Sequence, residues 1–314
     1  MPPVVAVTRR VVEPVRDELT RLFDLRLHDS ELPPGRAELL ALVSGAEGLV
    51  TMLTDGVDAE LLDAAGPALR VVANHATGHD NVDLAAARER GVVVTTTPRV
   101  LERATAEHTI ALLLALTRRV AEGDRFLRRG EPWAWAPTFM LAHGLAGRTL
   151  GLVGLGRIGS EVARLGEVLG LEVVYTARTP RDVPYQWLPL GELLSRADVV
   201  SLHVPLTDDT RGLIGARELG LMRTDAVLVN TSRGRVVDEA ALVDALGAAE
   251  IAGAALDVFE HEPAVHPGLL ELENVVLTPH LASATHEARE AMGRLCVEAL
   301  AAVLLEGRMP SNAV

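Results

Sequence analysis

The sequence lacks lysine altogether, because all 30 of its basic residues are arginine. Schiff-base chemistry, which needs a lysine amine, is therefore excluded. The single cysteine, Cys296, excludes an internal disulfide and any cysteine-cluster metal site, and we expect no bound metal. Cys296 lies in an apolar helical run, where a structural role is expected. Aromatic residues make up only 3% of the chain against 48% hydrophobic residues, which is typical of an α/β protein filled with valine, leucine and alanine.

Positive charge is also scarce, since the formal net charge of the 314 residues is −13. A nucleic acid or an anionic membrane would favour a basic patch, so neither is an expected partner. The N-terminus carries no signal-peptide pattern, and no apolar run reaches membrane-spanning length. We therefore expect a cytoplasmic protein of two domains, each large enough to bury its own core.

The stretch TLGLVGLGRIG, from Thr149 to Gly159, carries the clearest motif. An apolar strand, Leu150–Val153, runs into a glycine-rich turn, and a helical pattern and a second strand, Glu172–Tyr175, follow. The glycines of the turn are spaced G-x-G-x-x-G, at Gly154, Gly156 and Gly159. Together these elements predict one βαβ unit of the kind that binds a dinucleotide.

Each glycine of this turn has a distinct physical role. Gly154 permits the tight turn, Gly156 lets a pyrophosphate approach the backbone, and Gly159 lets the helix pack closely on the sheet. The helix N-terminus then offers free N–H groups and the positive end of its dipole to the phosphates.

The end of the second strand indicates which dinucleotide is bound. An NAD-specific unit usually carries an acidic residue there for the ribose 2′-OH, but Tyr175–Arg181 reads YTARTPR, without a carboxylate. Arg178 and Arg181 stand where a 2′-phosphate would lie, and a planar guanidinium suits that group. The sequence therefore predicts a preference for NADPH, with NADH as the other cofactor to be tested.

Residues 1–98 alternate strand and helix patterns, which predicts a parallel sheet covered by helices on both faces. The expected strands are Val4–Val7, Leu25–Leu27, Leu49–Thr51, Arg70–Ala73 and Val92–Thr95. The expected helices are Glu13–Phe23, Arg36–Ser44, Asp58–Ala65 and Asn81–Arg90. No glycine-rich phosphate turn occurs here. A polar loop, Asn74–Asn81, follows the fourth strand, and its amides near Thr77 and Gly78 are suited to a substrate carboxylate. Asp80 is expected to cap the next helix.

The same alternation continues through residues 99–286. After the first βαβ unit, the expected strands are Asp198–Val204, Ala226–Asn230, Ile251–Asp257 and Val275–Thr278. We predict an α/β protein with two doubly wound parallel-sheet domains and a cleft between them. Residues 99–286 form the dinucleotide-binding domain, and residues 1–98 plus 287–314 form a discontinuous substrate-binding domain. The final helix is expected over Thr285–Glu306, with GRMPSNAV as an exposed tail.

Two further segments indicate an interface. A helix predicted over Leu101–Val120 is apolar almost all round, which favours burial between domains or subunits. The irregular segment Glu131–Gly144 follows it and contains Trp133 and Trp135, two of the three tryptophans of the chain. Clustered aromatics on a loop serve either plain packing or an interface or pocket lid, and the sequence leaves both open.

Three polar residues at the carboxyl ends of predicted strands form a chemically coherent set. Arg233 follows VLVN, Glu262 lies beyond LDVF, and His280 ends VVLTPH. Hydride transfer to a ketone needs a cation that binds and polarises the oxo acid and a proton donor for the forming alkoxide. Arg233 suits the first task and His280 the second, while Glu262 would orient the imidazole and favour its charged form. Asp257 is a candidate to hold the nicotinamide carboxamide.

The chain resembles the D-isomer-specific 2-hydroxyacid dehydrogenases, and within them the glyoxylate/hydroxypyruvate reductase branch. The likeness extends over nearly the whole chain, and the stretches that match are HATGHDNVD at 75–83, TAEHTIALLLA at 105–115, GLGRIG at 154–159, NTSRG at 230–234, ALDVFEHEP at 255–263, TPHLASAT at 278–285 and GRMPS at 307–311.

The resemblance implies roles for particular residues. The catalytic trio would be Arg233, Glu262 and His280, and the substrate would also contact Leu53, Thr77 and Gly78. The resemblance further implies a homodimer joined through the dinucleotide-binding domains, in which Trp135 is the nearest match to a tryptophan that reaches the partner's active site. The implied cofactor contacts are Thr105, Gly154, Gly156, Arg157, Ile158, Gly159, Arg178, Thr179, Val204, Pro205, Thr210, Thr231, Ser232, Arg233, Asp257, His280 and Ser283.

The sequence favours an NADPH-dependent reductase of small 2-oxo acids such as glyoxylate or hydroxypyruvate, giving 2-hydroxy acids of D configuration where chiral. Two alternatives stay open. One is a dehydrogenase of the same class acting on 3-phosphoglycerate or a bulkier oxo acid. The other is a dinucleotide-sensing, corepressor-like binding protein that keeps the fold without the turnover.

Overall fold

The computed structural model describes residues 1–314, and its contacts divide the chain into two compact units. The first unit combines Met1–Leu101 with Ala284–Val314, and the second unit is Glu102–Ser283. The domain boundaries expected from the sequence lie within a few residues of these. No helix combines the length and apolar character that crossing a membrane requires.

A five-stranded parallel sheet forms the centre of the first unit, in the order β2-β1-β3-β4-β5. Its strands are β1 (Val4–Val7), β2 (Asp24–Leu27), β3 (Gly48–Thr51), β4 (Val71–Asn74) and β5 (Val93–Thr95). The helices between them are α1 (Glu13–Leu22), α2 (Arg36–Val43), α3 (Ala59–Ala65) and α4 (Leu84–Glu89). This strand order is that of a doubly wound fold, in which the crossover helices cover both faces of the sheet.

Alternate residues of these strands supply two separate cores. Ala6, Leu49 and Val72 pack with α2 and α3 on one face of the sheet. Val5 and its neighbours on the other face pack with α1 and with the C-terminal helix, which brings Cys296 into that core. Burial raises the pKa of the Cys296 thiol to about 12, so this side chain behaves as a small apolar group.

The second unit is built on a seven-stranded parallel sheet, in the order β12-β11-β10-β9-β6-β7-β8. It begins with helices α5 (Glu102–Thr117) and α6 (Val120–Arg128). Its strands are β6 (Thr149–Val153), β7 (Glu172–Thr176), β8 (Gln186–Trp187), β9 (Val199–Leu202), β10 (Val227–Asn230), β11 (Gly253–Leu256) and β12 (Val275–Leu277). Its other helices are α7 (Arg157–Val168), α8 (Leu190–Arg196), α9 (Ala216–Leu219), α10 (Glu239–Gly247) and α11 (Pro267–Glu271), with a 3₁₀ turn at Gly234–Val236.

The strand order of this sheet reverses between β6 and β9, which makes the carboxyl end of β6 the topological switch point of a Rossmann fold. Helix α12 (His286–Leu304) then returns the chain to the first unit, where it packs on β4. The prediction of two parallel-sheet α/β domains is confirmed.

The predicted long helix over Leu101–Val120 was wrong at its C-terminal end. Helix α5 ends at Thr117, and Arg119 adopts a left-handed conformation with φ 55° before α6 begins. The Arg119 guanidinium donates to the Glu122 carboxylate at 2.5 and 2.7 Å, which ties this turn to the first residues of α6. The side chains of α5 are buried only along the stripe Thr105, Ala106, Thr109, Leu112 and Leu113.

The C-terminal tail is exposed in most side chains, as expected, but its backbone is not free. The Val314 amide donates to the Val94 carbonyl at 3.0 Å, and the Thr96 amide donates to the Asn312 carbonyl at 3.2 Å. Strand β5 is an edge strand, and such strands present unpaired backbone groups that need a cover. The tail supplies that cover.

Candidate active site

The glycine turn lies at the switch point and has little room for side chains at two positions. Gly154 has φ 95°, and a Cβ on it would stand 2.6 Å from the His203 carbonyl oxygen. A Cβ on Gly159 would overlap the carbonyl oxygen of Gly154. A Cβ on Gly156, in contrast, would meet nothing within 4 Å. The open space beside Gly156 is what a pyrophosphate needs in order to approach the backbone.

The helix that follows this turn begins without a side-chain cap. Gly156 is the N-cap residue of α7, so no side chain accepts from the amides of the first turn. Side chains cap α3, α4, α10, α11 and α12, whereas α1, α2, α6 and α8 also begin without a side-chain cap. The uncapped amides and the positive dipole end of α7 are suited to phosphate groups. The residues present therefore fit a bound dinucleotide.

The loop after β7 carries three residues predicted to contact the adenosine end. Arg178, Thr179 and Arg181 are all exposed. The guanidinium groups of Arg178 and Arg181 form neither an ion pair nor a hydrogen bond with protein groups, and no carboxylate stands at the end of β7. Most arginines elsewhere in the chain pair with a carboxylate, as Arg36 does with Asp58. Two free cations in this position fit a second anionic group on the dinucleotide.

His280 and Glu262 are in direct contact. The Nδ1 atom of His280 lies 2.8 Å from Oε2 of Glu262, and both side chains are largely buried. Because a carboxylate only accepts, Nδ1 carries the hydrogen and Nε2 is left for another partner. The other Glu262 oxygen accepts from the Phe259 amide at 3.0 Å, which fixes the carboxylate. The peptide bond between Glu262 and Pro263 is cis.

The backbone that carries His280 is held in an uncommon conformation. His280 has φ 55°, in the left-handed region that non-glycine residues rarely adopt. Its amide donates to the Asp257 carbonyl at 2.8 Å. The Asp257 carboxylate accepts from the amides of Leu281 and Ala282 at 2.7 and 2.8 Å. The carbonyl and the carboxylate of Asp257 thus hold three successive backbone amides, those of residues 280–282.

Asp257 is fully buried and has a further partner that the sequence did not single out. Burial alone would raise the pKa of the Asp257 carboxyl, but hydrogen bonds from His108, Thr278 and two amides outweigh it and lower the pKa. His108 Nε2 lies 3.3 Å from the Asp257 carboxylate and 3.1 Å from the Thr278 hydroxyl. In the sequence, the only feature that marks His108 is its place in TAEHTIALLLA, one of the stretches that carry the family resemblance. The predicted carboxamide contact of Asp257 remains a prediction.

Arg233 lies in the loop after β10, the strand beside β11. The Asn230 side chain shapes this loop, because its amide donates to the Arg233 carbonyl at 3.0 Å and its oxygen accepts from the Ser232 amide and hydroxyl. Thr231 is anchored through its hydroxyl, 2.8 Å from that of Thr109. The three residues predicted to be catalytic therefore lie beyond the carboxyl ends of the three neighbouring strands β10, β11 and β12.

The remaining predicted cofactor contacts lie on several elements of the second unit. Val204, Pro205 and Thr210 belong to the loop after β9, where the Thr210 hydroxyl donates to the Pro205 carbonyl at 2.6 Å. Thr105 is buried on α5, and Ser283 is the last residue of the unit.

In the first unit, the predicted substrate residues lie on loops that follow β3 and β4. Leu53 belongs to the β3 loop, and Thr77 and Gly78 to the β4 loop. The Asn74 amide donates to the Gly78 carbonyl and the Thr77 hydroxyl donates to the Thr97 carbonyl, both at 3.0 Å.

The tryptophan-bearing segment after α6 remains exposed. Trp133 stacks on Phe139 at 6.4 Å between ring centroids, and Phe139 meets Phe126 edge to face at 5.7 Å. The Trp135 side chain is 82% exposed. Nothing in this chain therefore covers the residue predicted to reach a partner subunit.

Comparisons with known proteins identify the family of this chain. Residues 110–282 match the family model described as D-isomer specific 2-hydroxyacid dehydrogenase, NAD binding domain. The glyoxylate reductase of Korarchaeum cryptofilum is 46% identical over 100% of this chain and 96% of its own length. That of Thermococcus litoralis is 44% identical over 100% and 97%.

Solved structures give the same result. The TT0316 protein of Thermus thermophilus is 48% identical, with a TM-score of 0.94 and 99% of each chain covered. The NADPH-dependent glyoxylate/hydroxypyruvate reductase SmGhrB of Sinorhizobium meliloti, crystallised with NADP and malonate, is 36% identical, with a TM-score of 0.87 over 100% of this chain and 97% of its own. The chain belongs to the D-isomer-specific 2-hydroxyacid dehydrogenases, as the sequence predicted, and within them to the glyoxylate reductase branch.

Proposed function

We propose that this enzyme reduces small 2-oxo acids, glyoxylate and hydroxypyruvate, to 2-hydroxy acids and prefers NADPH. The observation that carries the proposal is the His280–Glu262 pair, 2.8 Å apart beyond the carboxyl ends of the sheet that carries the glycine turn. A proton donor and a dinucleotide turn on one sheet are what the reduction of a carbonyl group requires.

The residues that would hold the dinucleotide are those of the glycine turn and the uncapped start of α7, with Arg157 as its first residue. When bound, the nicotinamide supplies a hydride for the carbonyl carbon of the oxo acid. The cofactor contacts predicted after β9, β10 and β12 are part of the same proposal.

Arg233 would bind the oxo acid through a charge-assisted hydrogen bond and polarise its carbonyl oxygen. His280 would donate the proton from Nε2 to that oxygen as it gains negative charge. The Glu262 carboxylate would accept the Nδ1 hydrogen and keep the ring oriented. We also assign the substrate carboxylate to the amides of Thr77 and Gly78, and the pocket wall to Leu53.

The NADPH preference is supported by the free guanidinium groups of Arg178 and Arg181 and by the lack of a carboxylate at the end of β7. A ribose 2′-phosphate would gain charge-assisted hydrogen bonds from these groups, whereas a 2′-hydroxyl would leave both cations with water. The NADPH dependence stated for SmGhrB agrees with this proposal.

A homodimer joined through the second unit also belongs to the proposal. Large apolar side chains lie exposed on α6 and the following segment, namely those of Val120, Leu127, Trp133, Trp135, Phe139 and Leu141. Exposed apolar side chains concentrated in one segment indicate an interaction surface. Sedimentation of wild type and Trp135→Ser tests it, and a wild-type monomer would contradict it.

The test of function is steady-state oxidation of NADPH and of NADH with glyoxylate, hydroxypyruvate, 3-phosphohydroxypyruvate and a branched 2-oxo acid. We expect the highest kcat/KM for the two small acids with NADPH. A higher kcat/KM for the phosphorylated or branched acid would replace the proposed substrate. Cofactor binding without reduction of any acid would favour a dinucleotide sensor.

A further inference from the structure

The loop that bears Arg178 and Arg181 is unusually well anchored for an exposed segment. It spans residues 177–181, which we call the arginine loop, and follows β7. The chain returns through β8, the edge strand of the sheet, which pairs Trp187 with Tyr175. The Leu188 amide then donates to the Tyr175 carbonyl at 2.8 Å. Strand β8 therefore brings the far end of the connection back beside β7.

Tyr175 fixes the end of the arginine loop. Its ring is fully buried in the core on the α5 and α7 side of the sheet. Its hydroxyl accepts from the Arg181 amide at 2.6 Å and donates to the Arg181 carbonyl at 3.3 Å. A rigid ring in the core thus holds both backbone groups of one exposed arginine.

Trp187 fixes the start of the same loop. Its indole Nε1 donates to the Ala177 carbonyl at 3.0 Å. The two aromatic side chains lie on paired strands, so they hold the first and last residues of the loop from one rigid platform. The guanidinium groups between and at these anchors have no protein partner. A loop whose backbone is held at both ends while its two cations stay unpaired is partly preorganised for an anion, because the cost of ordering the backbone is met before binding.

We propose that Tyr175 and Trp187 are positioning residues that set the specificity of this enzyme for a 2′-phosphorylated dinucleotide. They act through the backbone of the arginine loop and touch no part of the ligand themselves. This inference rests on the proposed NADPH preference and extends it to residues that contribute no charge.

The experiment compares the Kd of 2′,5′-ADP with that of 5′-AMP by titration calorimetry on the full chain. The variants are Tyr175→Phe and Trp187→Phe, which each remove one anchoring group and keep a ring, and a thermal melt verifies that they fold. Tyr185→Phe is the matched control, because Tyr185 is the only other tyrosine and its hydroxyl contacts only the exposed Glu167, at 2.9 Å. Arg178→Ala shows how much affinity for 2′,5′-ADP is lost when a cation itself is removed.

We expect wild type to bind 2′,5′-ADP more tightly than 5′-AMP, and each anchor variant to weaken 2′,5′-ADP by about three- to tenfold with 5′-AMP unchanged. Tyr185→Phe should match wild type. If wild type discriminates and the anchor variants keep its ratio, or lose both ligands equally, the positioning role is overturned and the NADPH preference stands. If wild type does not discriminate, both are overturned.

Discussion

The two sheets of this protein share a parallel, doubly wound architecture, yet their carboxyl ends are used in opposite ways. In the first unit, the β1 connection carries Thr8 and Arg9, and both bond to the buried Asp55 carboxylate, with Arg9 at 3.1 Å. In the second unit, the β6 connection is a glycine turn that leaves open space at Gly156 and uncapped amides at α7. At these two connections, polar side chains bond to each other in the first unit, whereas backbone amides stay available in the second.

This difference shows that the sheet does not determine function, because a similar sheet has two kinds of connection. A polar group with all its partners inside the protein contributes to stability. A group that makes one internal hydrogen bond and keeps a second polar atom for a ligand is available for chemistry. His280 is such a group, because Nδ1 bonds to Glu262 and Nε2 is left for another partner. Substitutions in the two units should therefore change different measurements.

The largest expected effect is on rate. His280→Asn removes the proposed proton donor and should lower kcat by about 10³–10⁴-fold, or about 4–5.5 kcal/mol of transition-state stabilisation. The melting temperature should stay close to that of wild type. His261→Asn is the control, because its imidazole is 71% exposed and nearby in the chain. A His280→Asn enzyme with wild-type kcat would remove His280 from the mechanism.

The second effect is on stability and lies in the first unit. Asp55→Asn leaves the buried Arg9 charge without its counter-ion and should lower the free energy of unfolding by about 3 kcal/mol. The Kd for NADPH should not change. Asp63→Asn, which breaks an exposed pair with Arg90 at 2.8 Å, should cost less than about 1 kcal/mol. Urea unfolding measures both, and equal losses would contradict a structural role for the buried pair.

Much of this contrast was predictable from the sequence, because buried parallel strands are short runs of valine and leucine bounded by turn residues. Strand β1 was predicted residue for residue, and most others to within two residues. The glycine turn carries its own spacing. Arg233, Glu262 and His280 each follow a strand, so the topology alone predicted that they would lie at one edge of the sheet.

Other features depend on contacts that no local pattern records. The break between α5 and α6 follows from the left-handed Arg119 and its bond to Glu122, within a continuous helical pattern. His108 meets Thr278 across 170 positions of sequence, so its partner appears only in the fold. Strand β8 has just two residues, too few to show any periodicity. The C-terminal tail pairs with β5, which is an edge strand only because of the order of strands in the sheet.

The third prediction concerns pH and His75, which follows β4 in the first unit. Burial, followed by the nearby charge of Arg289, lowers the pKa of His75 to about 4 from 6.5. Below pH 6.5 the His75 imidazole binds a proton in the unfolded chain but not in the folded chain. The free energy of unfolding therefore falls as the pH drops from 6.5 to 4. Acidification to pH 4.5 should cost about 2 kcal/mol through this group.

Urea unfolding of wild type and His75→Gln at pH 7 and 4.5 checks this expectation. The variant should lose less stability than wild type between the two pH values, because it has no imidazole to protonate. His79→Gln removes an exposed imidazole from the same loop and should follow wild type. Parallel losses in wild type and His75→Gln would show that groups other than His75 set the acid limit.

The smallest effect tests the glycine turn itself, where two glycines three residues apart should respond differently. Gly156 has φ −77° and open space around it, so Gly156→Ala should keep the wild-type melting temperature. The added methyl occupies the approach of the pyrophosphate and should raise the Kd for NADPH about tenfold, or ~1.4 kcal/mol. In Gly159→Ala the methyl meets the Gly154 carbonyl, so the turn must shift and the melting temperature should fall. If Gly156→Ala binds NADPH as wild type does, the open space at this turn is not where the phosphates lie. The contrast between the two units would then depend only on the polar residues around His280.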